Sequence, residues 1–95
     1  MTVYVDDMEA PYGHMIMCHM VADSHDELNA MADKIGVSRR WIQHPGSAKE
    51  HYGISKSRRL RAIAAGAVEV TQSELGERMY ALRKAERAER TASQA

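Results

Sequence analysis

The segment MIMCHMVADSHDELNAMADKIG, residues 15–36, decides how this chain folds. On strand alternation Met15, Met17, His19 and Val21 share one face, and Ile16, Cys18 and Met20 share the other. Both faces are largely apolar, which predicts a central strand covered on both sides. The period then changes. Ser24 and Glu27 stand at the S-x-x-E spacing of a capping box. Leu28, Met31, Ala32 and Ile35 follow the i, i+3, i+4, i+7 rule of one buried helical stripe. Gly36 suits the left-handed residue just past a helix end.

Working outward, TVYV is β-prone and predicts a first strand at residues 2–5, while EAPYG, residues 9–13, reads as a loop punctuated by Pro and Gly. VSRRWIQ, residues 37–43, reads as a short strand, HPGSAKE as an irregular loop and HYGIS as a short extended segment. Ser55 or Ser57 caps a second helix, with Leu60, Ile63 and Ala64 inward and Gly66 at its end. AVEVT is another strand. Thr71 and Glu74 form a second capping box before a third helix whose stripe is Leu75, Met79 and Leu82. The order β-β-α-β-(β)-α-β-α predicts an α+β fold, a small mixed sheet with about three helices. A single domain is expected over residues 1–82, with residues 83–95 a charged tail, helical or frayed for want of an apolar face.

The 95 residues allow one domain. Hydrophobic residues make up 44%, with no Phe, one Trp and four Tyr, so the core is built from Met, Leu, Ile, Val and Ala. So small a core favours a homodimer. The lone cysteine, Cys18, excludes an internal disulfide. No leader or membrane span is apparent, and a reducing cytoplasm is the expected compartment.

Net charge is zero but segregated: residues 1–35 carry seven acids and one base, and residues 36–61 carry seven bases and one acid. Either the two segments neutralise each other, or the basic one receives a phosphate-bearing ligand. Asp6, Asp7, His14, His19, Asp23 and His25 cluster early, without the spacing of a metal motif, and no metal is assigned. Cys18 and His19 alternate faces, which argues against a thiolate–imidazole pair. Arg39, Arg40 and Trp41, with His51 and Tyr52, combine phosphate-binding forks and flat faces for stacking. On a strand Arg39 and Trp41 share a face, so if Trp41 is buried Arg40 is the exposed one and Arg39 snorkels or pairs with an acid, Asp6, Asp23 or Asp26. SKSRRLRA places Arg58 and its neighbours at a helix start, against the macrodipole, a placement that suits a bound anion or an acidic neighbour. Nucleic-acid binding is a lesser alternative, because the chain is neutral and lacks a recognisable module.

VYVDDMEAPYGHMIMCHMVAD, DELNAMADKIGVSRRWIQ, HYGIS and AAGAVEV together resemble the domain-of-unknown-function family DUF4031, small proteins of bacteria and tailed bacteriophages. The resemblance covers about residues 2–75. The family pattern falls on Asp6, Pro11, His19, Asp23, Glu27, Arg40, His51 and Tyr52, and closes on Gly66 and Ala67. It implies a site made by polar residues at strand ends. The pattern has an acid after His-Tyr, where this chain has Gly53, and position 14, often a base in phage-type members, is His14. A missing catalytic carboxylate would leave this copy inactive or able only to bind. A missing helix cap would cost about 1 kcal/mol and Ser55 would take over.

The leading reading is a protein that binds a phosphorylated small molecule, most simply a nucleotide. Arg39, Arg40 and Arg58 hold phosphate. His19 and His51 hydrogen-bond the ligand or shuttle protons, Trp41 or Tyr52 packs on a ring, and Asp6 and Asp23 orient the histidines or contact a ribose hydroxyl. The second reading is a small hydrolase or phosphoryl-handling enzyme with His19 or His51 as general base. The third is an interaction module for a host or phage protein. No cofactor is identified.

Overall fold

The computed structural model describes residues 2–94, with side chains described over 2–89. In chain order the elements are β1 (Val3–Val5), β2 (Ala10–Tyr12), β3 (Met15–Ala22), α1 (His25–Ile35), a 3-10 turn (Arg39–Trp41), β4 (Tyr52–Ser55), α2 (Lys56–Ala64), β5 (Val68–Glu69) and α3 (Gln72–Gln94). The fold is α+β with a mixed five-stranded sheet.

β3 is the spine of that sheet. It pairs antiparallel with β1 (Val5 opposite Met20), with β2 (Ala10 opposite Met17) and, on its other edge, with β4 (His19 opposite Gly53). β5 adds in parallel to β1. α1 begins and ends as its residues dictate: the Ser24 hydroxyl accepts from the Glu27 amide at 3.2 Å, and Gly36 turns left-handed at φ 78°. Thr71 and Glu74 close a reciprocal capping box on α3, at 3.1 and 2.9 Å.

Register sorts the side chains of β3. Cys18 and Met20 are fully buried with Val3, Val5, Tyr52 and Ile54, packed on Leu28, Met31, Ala32 and Ile35 of α1 and Ala62 of α2. Each buried Val, Leu, Ile or Met side chain among them contributes about 1.5–3 kcal/mol by leaving water. Cys18 is thus a buried free thiol on the face away from His19. The opposite face is covered only in part. Arg78 of α3 lies over the Tyr4 ring at 4.5 Å, where Tyr4 pairs with Val21. Toward Met17 and Met15 the same face opens into a cleft.

Three sequence expectations change. Residues 37–43 are not a strand. The Ser38 hydroxyl and carbonyl accept from the Arg40 and Trp41 amides, which coils the segment, and only Gln43 bridges to His51. Residues 10–12 are a strand, because Gly13, at φ 62°, folds β2 back onto β3. On α2 the inward residues are Ala62 and, partly, Ile63, while Leu60 is 60% exposed. Arginine stems occupy the rest of that stripe: Arg58 donates to the Ile35 carbonyl at 2.5 Å and Arg59 to the Asp6 carbonyl at 2.7 Å. The expected tail continues α3 as helix to Gln94, and Ala95 lies outside the described residues. No helix among the described residues is long and apolar enough to cross a membrane.

Candidate functional site

The cleft has a volume of about 710 Å³ and runs over the N-terminal half of β3. Its floor includes Met15, Met17, His19 and Gly53, and its walls include His51, Gln43, Trp41 and Arg58. Pairing creates this floor. His19, Met17 and Met15 alternate onto one face, and Gly53, opposite His19, adds no side chain.

Asp6 follows β1 and extends the ladder, its amide donating to the His19 carbonyl at 3.0 Å. Its side chain then turns back on the same residue. One carboxylate oxygen accepts from the His19 amide at 2.6 Å and the Met8 amide at 3.3 Å, and the other accepts from His19 Nδ1 at 2.8 Å. Asp6 is fully buried, whereas the His19 ring is 31% exposed. A carboxylate accepts only, so Nδ1 carries the proton, and neutral His19 leaves Nε2 bare.

His51 sits just before β4, at the end of the loop closed by the Gln43 bridge. Its Nδ1–H donates to the Lys49 carbonyl at 2.7 Å. Its ring meets His19 edge to face with centroids 5.3 Å apart, and His44 stacks on it at 6.0 Å. Burial pushes the His51 imidazole below its usual range, helped by His19 and His44 and opposed by the bond to Lys49. The folded chain therefore binds that proton less readily than the unfolded chain. The His51 contribution is complete above about pH 6.5 and is lost as pH falls from there through the depressed folded value. The melting temperature measured in chelator should drop across that window, and His51→Gln should flatten this part of the profile.

The other expected site residues divide. Trp41 is 59% exposed and lines the cleft, and Arg58 does too, while also capping α1 through Ile35. Arg40 stacks on Trp41 at 4.8 Å. Arg39 instead makes a two-pronged bond to Asp33, at 3.1 and 2.8 Å, and lies outside the cleft. The expected acids Asp6, Asp23 and Asp26 do not take it, because that expectation rested on a strand. Asp33 is held below the usual carboxylate range by the Arg39 hydrogen bond. Asp23 lies at the far end of β3, accepting from the Thr2 amide at 2.9 Å and from Arg78 at 2.5 Å, so it does not orient the histidines. Tyr52 is fully buried on the core face and donates to Asn29 at 2.5 Å, which leaves it no face for a ligand. The basic start of α2 needs no bound anion: Arg58 and Arg59 bond carbonyls and Lys56 pairs with Glu9 at 3.3 Å.

Gln43, His44, Asn29 and the open floor at Gly53 were not singled out as site features. Only the bridge across the loop brings the first two in, and no local pattern announces such a bridge. Ser55 does cap α2, so an acid at position 53 is not required for that purpose. Among the described residues no group of three or more His, Cys, Asp or Glu side chains gathers as a metal site.

One family profile, described as a protein of unknown function, matches residues 3–82. The chain belongs to DUF4031. His19 and His51 both fall within the matched segment, so the cleft lies inside the DUF4031 region of this chain. No curated protein and no solved structure matches this DUF4031 chain.

Proposed function

We propose that this protein binds a phosphorylated small molecule, most simply a nucleotide, in the cleft over β3. The observation that carries the reading is the Asp6–His19 pair beside His51, on the floor of an open cleft walled by Trp41 and Arg58. The half-exposed indole offers a face for a base, the Arg58 guanidinium offers donors for phosphate oxygens, and the bare imidazole Nε2 atoms accept from ligand hydroxyl or amino groups. Arg40, stacked on Trp41, adds a cation at the rim. Arg39 and Tyr52 are left out of this assignment, the first committed to Asp33 and the second to the core.

Thermal shift and calorimetry over mononucleotides, cyclic dinucleotides and inorganic phosphate test the reading. At least one nucleotide should raise the melting temperature. Trp41→Ala should then weaken its binding by about 1–3 kcal/mol, the range of base–aromatic stacking. No stabilisation by any member of the panel would sink the proposal.

A second reading, a small hydrolase, is favoured by one detail. A buried carboxylate on His19 Nδ1 is the arrangement that fixes a general base. Turnover that persisted in His19→Gln, His51→Gln protein would exclude it.

A further inference from the structure

His19 and His51 share a feature that capture of an organic ligand does not require. Each ring has its Nδ1 engaged by an acceptor, the Asp6 carboxylate at 2.8 Å for one and the Lys49 carbonyl at 2.7 Å for the other. A carboxylate or carbonyl on Nδ1 is the outer-shell arrangement found behind metal-bound histidines, because it fixes the tautomer that bares Nε2. The spacing of the rings agrees. Two imidazoles on one tetrahedral ion, with bonds of about 2.0–2.1 Å, have ring centroids about 5 Å apart. The observed separation is 5.3 Å, with the planes at 80°.

We propose that His19 and His51 together bind one divalent first-row transition ion, such as Zn²⁺, through their Nε2 atoms, with water completing the coordination. Imidazole donors suit this class of ion. Asp6 serves from behind, both its oxygens already accepting N–H groups. Cys18 lies buried on the other face of β3. His44 stacks on His51 at 29° and does not join the pair, which leaves a two-histidine site where no three-donor group gathers. The sequence carries no metal motif because one donor lies on β3 and the other just before β4, and they meet only through the β3–β4 pairing.

Gly53 provides a gain-of-binding test. It pairs with His19, and a Cβ there would make only ordinary contacts, 3.7 Å to Met17 and 3.9 Å to Gln43. A carboxylate at this position would stand on the face of His19 as a third donor.

The full chain, stripped with chelator and free of nucleotide, should be titrated with Zn²⁺ by calorimetry and with Co²⁺ by visible absorption. One ion per chain is expected, with a nitrogen-and-oxygen ligand field for Co²⁺. His51→Ala should weaken binding at least about tenfold, and Asp6→Asn about 10–100-fold, as for other outer-shell partners. His14→Ala should change nothing, and Gly53→Asp should tighten binding. His19→Ala strips Asp6 of its partner and endangers folding, so the half-buried His51 carries the test, with melting curves as the check. No stoichiometric binding by the wild-type chain, or unchanged affinity in His51→Ala, overturns the proposal. Because no nucleotide is present, either result leaves the ligand reading to be judged separately.

Discussion

Asp6→Ala is expected to remove about 3–5 kcal/mol of folding stability, the combined loss of the hydrogen bonds that three N–H donors make to one buried carboxylate. The carboxylate has no exposed surface, and it accepts from the His19 amide, the Met8 amide and His19 Nδ1. Alanine leaves these donors with no nearby replacement, and each buried unsatisfied group costs about 1–3 kcal/mol. Domains this small have about 5–15 kcal/mol in total, so the variant should be marginal. Asp6→Asn should lose less, since its amide oxygen still accepts one N–H. Its NH₂ would face the other donors, and His19 would have to change tautomer or turn. Urea denaturation measures the difference, and a loss below about 1 kcal/mol for alanine would contradict the buried pair.

Tyr52→Ala should be comparably severe, at about 3–5 kcal/mol, because it empties an aromatic volume at the centre of the core. Tyr52 is fully buried between β3 and α1, and its hydroxyl donates to Asn29 at 2.5 Å. Tyr52→Phe keeps the ring and removes one buried hydrogen bond, leaving Asn29 with an unmet acceptor. That should cost about 1–2 kcal/mol. Ligand affinity should not change in Tyr52→Phe, because the residue faces away from the cleft. Weaker nucleotide binding at equal stability would return Tyr52 to the site.

The two variants separate two roles that adjacent residues play. His51, just before β4, and Tyr52, its first residue, point to opposite faces, so one ring reaches the cleft and the next reaches the core. Reading them as one ring-bearing pair merged the two faces. The same parity correctly separated Cys18 from His19, because β3 is a regular strand through both.

What the sequence determined by itself was everything held by interactions within one turn or one strand. The bounds of β3, the Ser24 cap, the Gly36 stop, the Thr71–Glu74 box and the burial of Leu28, Met31, Ala32 and Ile35 all belong here. Their causes are local: a hydroxyl reaching an amide three residues on, or apolar residues recurring at the helical period. The tertiary structure alone decided the rest. Asp6 finds His19 through the β1–β3 register, and His51 finds His19 through the β3–β4 register. Arg58 and Arg59, read as facing an anion or an acidic neighbour, bond carbonyls of other elements, and Arg59 also meets Glu69. The segment 37–43 coils because Ser38 caps it and Asp33 holds Arg39. Each of these depends on a partner distant along the chain or on a choice between hydrogen bonds of similar strength. Residue pattern does not rank such alternatives. The packed register, which buries one face of β3 and leaves half of the other open, does.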